Sequence, residues 1–377
     1  MNSRIYLSSP HMGGNEKKYI EDAFDTNWIS PSGPNIDGFE ESLQAYLGND
    51  NYVASLSSGT AALHLALILL GVGRDDEVLC QSMTFIASAS PIVHQGAIPV
   101  FIDSEKDTWN LCPNYLEEAI KDRISKGKKP KAIIAVHLFG MPFKVNEIKD
   151  VSKKYNIPLI EDCAAALGSS YENKKCGTFG DIAILSFNGN KIITTSGGGA
   201  LVSKTLEFKE KAIFLATQAK DDMPYYQHSQ IGYNYRLSNI CAGIGRGQME
   251  VLDDHIALRK EMNQFYKEVF NKTEHVSVFT EPSTKFKSNY WLSCITVDSL
   301  KAGFSSKDIR NELLIENIEA RPLWKPLHLQ PIFKGASYFG SRVAENLFSI
   351  GLCLPSGSNL TSLDKERIND VLIKFSL

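Results

Sequence analysis

Lys191 ends the run Ser186-Phe-Asn-Gly-Asn-Lys191 and stands just ahead of Ile-Ile-Thr-Thr-Ser-Gly-Gly-Gly199. A lysine that leaves a buried strand on a small turn can be partly desolvated. A usable fraction is then neutral at pH 7 and can attack a carbonyl. Taken alone, a lysine is more often a solvated surface residue. The three glycines let backbone pass close to a flat ring, or give a flexible turn. A second group is Leu159-Ile-Glu161-Asp162-Cys163. Strand alternation puts Glu161 and Asp162 on opposite faces, so only one carboxylate can reach a shared ligand. A carboxylate at the end of a buried strand is costly unless paired. A protonated ring nitrogen would pair it; capping a helix is the alternative. The third group is Ser57-Ser58-Gly59-Thr60, between an apolar strand and an apolar helix. Backbone N–H groups at a helix start, a close-approach glycine and a threonine hydroxyl form an anion cup. An ordinary N-cap explains the same residues. No Gly-Lys-Ser/Thr follows, so it is not a Walker loop.

An anion cup, a strand-end carboxylate and a strand-end lysine about thirty residues later are together the parts that a pyridoxal phosphate site needs. The Ser186 hydroxyl can add to the phosphate contacts. Phe85, in Ser82-Met-Thr-Phe-Ile-Ala87, can stack on a flat ring or simply pack in the core.

These groups need a scaffold that presents strand ends. From about residue 51, short apolar strands alternate with helical segments, the pattern of a mainly parallel sheet covered on both faces. Strands are expected at Tyr52–Ser57, Glu77–Gln81, Ile98–Ile102, Ala132–His137, Pro158–Asp162, Ile182–Phe187 and Ala200–Val202. Helices are expected at Asn15–Thr26, Thr60–Leu70, Asn114–Lys121 and Lys144–Tyr155. Ser30-Pro-Ser-Gly-Pro34 reads as a turn. After about residue 236 a long helical stretch carries Leu237, Ile240, Ile244, Leu252 and Ile256 in register, as a connector would. Beyond it lie an isolated strand, Tyr290–Val297, and helices opened by Ser306 and by Thr361-x-x-Asp364. The fold class is therefore α/β: a large unit, 1–250, with a mostly parallel seven-stranded sheet between helices, and a smaller C-terminal α/β unit, 251–377.

A net charge of −3 argues against nucleic acid as the main partner, while leaving room for a local positive pocket. Seven cysteines, with no C-x-x-C pair, fit scattered reduced thiols in a cytoplasmic protein better than a disulfide framework or a metal site. Met1 to Pro10 lacks a secretory pattern, and the most apolar stretch, Thr60 to Gly73, is too short for a bilayer and contains His64. It reads as a buried helix. No membrane partner is expected.

The same residues resemble a known family. The chain is similar to the sugar aminotransferases of the DegT/DnrJ/EryC1/StrS family, which are fold-type I pyridoxal phosphate enzymes. The resemblance spans nearly the whole chain. It runs through Ser9-Pro-His-Met-Gly-Gly-Asn-Glu16, Ser58-Gly-Thr-Ala-Ala-Leu63, Thr84-Phe85, Val136-His-Leu-Phe-Gly140, Glu161-Asp162 and Gly177-Thr-Phe-Gly-Asp181. It continues in Ser186 to Lys191, Gly232-Tyr-Asn-Tyr-Arg-Leu-Ser-Asn239, Arg321-Pro-Leu-Trp-Lys-Pro-Leu-His328 and Leu354-Pro-Ser-Gly357. The resemblance implies that Lys191 joins the cofactor aldehyde and that Asp162 binds the pyridine nitrogen. Ser58, Gly59, Thr60 and Ser186 would hold the phosphate, with Phe85 beside the ring. Asn234 would reach the phosphate of the neighbouring subunit, which implies a homodimer with shared active sites. Arg236 is a candidate for the carboxylate of the amino donor, L-glutamate, with a structural salt bridge as the alternative. Asn27, Trp28, Arg321, Trp324 and Lys325 are candidates for a nucleotide-linked keto-sugar, although packing is an alternative for both tryptophans. His137 and His64 read as structural.

Within the family, the Phe187–Thr194 and Arg321–Lys325 runs look most like enzymes that aminate C4 of a UDP-linked 4-keto-6-deoxy-N-acetylhexosamine. A dTDP-4-keto-6-deoxyglucose 4-aminotransferase is the near alternative. One position departs from the family pattern: Ala165 stands where a glutamine or other polar residue often contacts the cofactor hydroxyl. Lys191 argues against the relatives that carry histidine there and dehydrate sugars. Two readings from other classes are a non-catalytic, cofactor-binding regulator and an interaction protein with a degenerate site. The absence of a helix-turn-helix extension, and the presence of Lys191, Asp162 and Ser186, count against them.

Overall fold

The structure is a computed structural model and describes residues 3–376. Its main sheet contains all seven expected strands plus an eighth. From one edge the order is Tyr52–Leu56, Gly199–Ser203, Ile182–Ser186, Leu159–Asp162, Ala132–Val136, Glu77–Gln81, Ile98–Ile102 and Tyr338–Phe339. Gly199–Ser203 alone runs against the rest. The eighth strand is two residues long and comes from the C-terminal part of the chain, far beyond the local pattern that marks the others.

Side-chain alternation explains why this sheet is covered twice. Leu79, Ile133 and Leu159 point to one core cluster, with Phe39 and Leu43. Their neighbours Val78, Cys80, Ile134 and Ile160 point to the other, with Leu63 and Leu67. A strand buried on both faces has to be apolar at consecutive positions. The helix Gly59–Leu69 is buried from Ala61 to Leu67, which is why its sequence is apolar all round.

Several helices depart from the sequence expectation. Pro34–Leu47 is a helix where the sequence suggests a turn through Pro34; that proline is the helix's first residue, where a missing N–H costs nothing. Leu206–Ala216 is likewise an additional helix. The long connector is two helices, Asn239–Glu250 and Leu252–Val269, broken at Val251, whose φ of −118° is not helical. The cap expected at Ser306 lies one residue earlier. Ser305 forms a reciprocal capping box with Asp308, and Thr361 does so with Asp364 as anticipated.

The C-terminal part carries a four-stranded antiparallel sheet of Val276–Val278, Ser293–Val297, Gly351–Leu354 and Arg321–Pro322. The strand expected from Tyr290 starts at Ser293, because Tyr290 turns the chain with a φ of 48°. Helices Leu252–Val269, Ser306–Ile315 and Ser362–Leu372 pack on this sheet through Met262, Ile309, Leu313 and Ile368. Ile5, from the other end of the chain, joins this core and bridges to Ile318. A boundary at residue 250 is therefore crossed twice, by Ile5 and by the strand Tyr338–Phe339. No helix among the described residues is long and apolar enough to cross a membrane.

Candidate active site

A cavity of about 560 Å³ opens at the C-terminal ends of the parallel strands, where open α/β sheets place their ligands. The strand Leu159–Asp162 ends in it with Asp162. Its Oδ2 accepts the Ser88 hydroxyl at 2.7 Å, and its Oδ1 accepts the Ala164 amide at 3.0 Å. Ser88 is paired in turn with Thr84 at 2.8 Å. Two donors fix the carboxylate and leave further lone pairs facing the cavity.

Glu161 points to the opposite face, as alternation requires. Its oxygens accept His137 Nε2 at 2.7 Å and the amides of Gly177, Phe179 and Gly180 at 2.5, 2.8 and 3.1 Å. The Phe143 amide donates to His137 Nδ1, which leaves the ring proton on Nε2. Burial alone would raise the Glu161 pKa. The hydrogen bond from His137, with those from the Gly177 and Phe179 amides, outweighs it and holds the carboxyl below its usual range. Cys163 donates to the same carboxylate at 3.3 Å. His137, Glu161 and Cys163 sit within 4.8 Å of one another, but the His137 and Glu161 atoms are already committed to these donors and acceptors. The cluster is a support for the strand end. Glu161→Ala is expected to lower unfolding free energy by about 3 kcal/mol or more, by stranding several buried donors. Denaturant unfolding checks this, and unchanged stability would contradict it.

Lys191 follows a turn closed by its own amide to the Asn188 carbonyl at 3.0 Å. Its Nζ lies 4.3 Å from the centre of the Trp291 ring. Among the described residues this Nζ makes no hydrogen bond or ion pair. Burial lowers the Lys191 pKa to about 8, although the Asp162 charge acts the other way. About a tenth of the amine is then neutral at pH 7. Only the neutral amine attacks an acyl reagent, so Lys191 acetylation in the cofactor-free protein should rise with pH. It should reach half its maximum near pH 8. Peptide mapping of competitive acetylation reads this out, and an inflection at the ordinary lysine position near pH ~10.4 would contradict it.

The phosphate end of a cofactor has a preformed seat. Ser58 caps the helix Gly59–Leu69, its hydroxyl accepting the Ala61 amide at 3.0 Å. The hydroxyl is thus the N-cap of the alternative reading, and the Gly59 and Thr60 amides open the helix without i−4 partners. A side chain on Gly59 would lie 3.0 Å from Ser186 Cβ, and one on Gly199 only 2.4 Å from the Gly59 nitrogen. Both glycines are required to bring the strand Gly199–Ser203 and Ser186 against the helix start. Donors at one end of the cavity, a fixed carboxylate and a partly neutral lysine fit a phosphorylated aldehyde with a basic ring nitrogen.

Ser58, Gly59, Thr60, Phe85, Asp162, Ser186 and Lys191 all line this one cavity, as do Arg321 and Trp324. Phe85 is 58% exposed and approaches Trp324 at 6.0 Å, so it is not a core residue. Ala165 offers only a methyl group to the wall. Five expected residues do not line the cavity. Lys325, Asn27 and Asn234 are exposed elsewhere, Asn234 in an antiparallel bridge with Thr217. Trp28 and Arg236 border a separate depression with Pro34 and Asp37. Arg236 Nη1 is committed to Glu40 at 2.5 Å and to the Ser55 carbonyl at 2.9 Å. That is the structural salt bridge weighed against donor binding. His64 bonds Gln95 and Tyr235, in keeping with a structural role. The sequence reading missed Ser88, Trp291, Leu7 and Ser8. Only Ser88, four residues after Thr84, carried a local signal.

A model of the DegT/DnrJ/EryC1/StrS aminotransferase family matches residues 10–373. The chain belongs to this family. It is a pyridoxal 5′-phosphate-dependent sugar aminotransferase. EpsN of Bacillus subtilis (strain 168), whose name makes it provisionally a pyridoxal phosphate-dependent aminotransferase, is 50% identical over 99% of this chain and 96% of its own length. The GDP-perosamine synthase of Escherichia coli O157:H7 is 37% identical over 95% of this chain and 94% of its own. A family aminotransferase from Brucella abortus superposes with a TM-score of 0.89 at 29% identity, covering 96% of this chain and 95% of that one. The α/β fold of the fold-type I aminotransferases is thus that of the present enzyme.

Proposed function

We propose that this aminotransferase moves an amino group from L-glutamate to C4 of a nucleotide-linked 4-keto-6-deoxy sugar. The observation that carries the reading is the convergence of Lys191, Asp162, Ser186 and the Ser58–Thr60 helix start on one cavity. When bound, pyridoxal 5′-phosphate supplies an electron sink for the carbon that loses its proton and carries the amino group between donor and acceptor. Gly59, Thr60 and Ser186 would hold the phosphate. Asp162, held in place by Ser88 and Ala164, would accept the ring N–H and keep it protonated. Phe85 would lie beside the ring. Lys191 Nζ takes the proton from the donor α-carbon and, in the second half-reaction, moves a proton in the reverse direction. Two half-reactions at one site give ping-pong kinetics.

For the acceptor, the resemblance of the Phe187–Thr194 and Arg321–Lys325 runs supports a UDP-linked 4-keto-6-deoxy-N-acetylhexosamine. Arg321 and Trp324 line the cavity and would meet it there, Arg321 by way of a guanidinium now paired with Glu319. A GDP-linked acceptor is the second reading, favoured by 37% identity to a GDP-perosamine synthase. A competition assay with UDP-, dTDP- and GDP-linked 4-keto-6-deoxy sugars decides among them. The proposal expects the UDP-linked amino sugar as main product; preference for another nucleotide would overturn that choice alone. No amino sugar from any of them would overturn the function. We further propose a homodimer of subunits whose large unit spans mainly 1–250 and whose small unit spans mainly 251–377, with Ile5 and Tyr338–Phe339 crossing between them. The exposure of Asn234 away from its own cavity supports a role across the interface. A fully active monomer in sedimentation would overturn the dimer.

A further inference from the structure

Arg259 is 1% exposed, yet it has no carboxylate partner among the described residues. Its Nη1 donates to the Trp291 carbonyl at 2.6 Å and to the Ser356 carbonyl at 3.0 Å, and its Nη2 donates to Ser8 Oγ at 3.0 Å. Among the described residues its Nε has no acceptor. Burial lowers its pKa to about 9, which still leaves a cation at neutral pH. Burying an unpaired cation is costly, so the arrangement calls for a compensating use.

The contacts form a closed loop around the residue before Lys191. Ser8 Oγ, held by Arg259, donates to the Asn190 carbonyl at 2.8 Å. Trp291, held by Arg259 through its carbonyl, donates its Nε1 to the same Asn190 carbonyl at 2.6 Å. The Trp291 ring is the surface on which Lys191 Nζ rests. The Ser356 amide also binds the Leu7 carbonyl at 2.8 Å, which ties the third acceptor of Arg259 to the same N-terminal segment. One planar fork thus joins three segments distant in sequence: residues 7–8, 291 and 356. A lysine, as a point donor on a flexible stem, cannot span these acceptors in one geometry.

We propose that Arg259 is a positioning residue for the chemistry: it fixes the Asn190–Lys191 backbone and the Trp291 wall, and so keeps water from the Lys191 amine. The inference rests on Lys191 as the reacting lysine, but its central test does not. Competitive acetylation of the cofactor-free full chain titrates Lys191 whatever its role. Arg259→Lys should move the Lys191 midpoint up by about one unit, as partial rehydration of a lysine does. The holoenzyme should lose about tenfold in kcat with little change in KM, because a misplaced reacting group acts after binding. Trp291→Phe, which keeps a ring but removes the indole donor, should shift the midpoint the same way. The double variant should shift it no further than the larger single effect, since both act on one loop. A Lys191 midpoint unchanged in Arg259→Lys, with only the melting temperature lowered, would overturn the proposal. If that variant does not fold, Ser8→Ala and Trp291→Phe carry the test, and an unchanged midpoint in both would overturn it. A cofactor label found on another residue would instead sink the reading of Lys191 and leave the loop as a local fact.

Discussion

Lys191→Ala is expected to lose at least about 10³-fold in transamination, the upper range for a positioned acid–base group and the loss of the covalent partner besides. The folded protein should persist. Lys191 Nζ rests on the Trp291 ring and forms no ion pair whose loss would strand a partner. Its pKa is depressed by burial, so the charged form is poorly solvated in the fold. That penalty is present below about pH 8 and fades as pH rises toward the value of an unfolded lysine. Truncation removes it, and the melting temperature at neutral pH should not fall. Lys191→Arg retains a cation and should be as inactive, because a guanidinium neither joins an aldehyde nor releases its proton near neutrality. Substantial turnover by either variant would overturn the mechanism.

Asp162→Asn carries the second largest effect. The amide keeps the volume of the carboxylate, and its oxygen can still accept the Ala164 amide. It cannot hold a positive charge on a ring nitrogen. Losing that charge pairing inside a low-dielectric site should lower kcat/KM by roughly 10²- to 10³-fold. Stability should change little, because the Ser88 hydroxyl can rotate to meet the new group. The neighbouring residue predicts the reverse pattern. Glu161 serves the fold, so its removal should cost stability rather than chemistry. Steady-state kinetics and denaturant unfolding on the two variants separate these roles. Equal kinetic losses at both positions would contradict the division between the two faces of the strand.

That division was legible in the sequence because a strand alternates its side chains without exception. The same regularity marked the seven main strands, since a parallel sheet covered twice leaves continuous apolar runs. Lys191, Ser186 and the Ser58–Thr60 turn could be placed because each follows or ends such a run. Other features were hidden for physical reasons. Pro34 suits a turn and a first helical position equally well, so the helix Pro34–Leu47 escaped. The break at Val251 leaves hydrophobic spacing almost undisturbed, so two helices looked like one. The strand Tyr338–Phe339 is too short to carry a period. Arg236 sits in a motif shared with a family, but its partner Glu40 lies far earlier in the chain, and only the fold brings them to 2.5 Å. Arg259 and Trp291 are of the same kind: an arginine on a helix reads as solvated, and its three acceptors come from three distant segments.

A single covalent link between the cofactor and the chain, at Lys191, is what transamination here requires. Borohydride reduction of the holoenzyme, followed by digestion and mass mapping, examines it directly. The label should sit on the peptide containing Lys191 and on no other. Recovery of the reduced cofactor on a different lysine, or as free pyridoxine phosphate with the chain unlabelled, would contradict it.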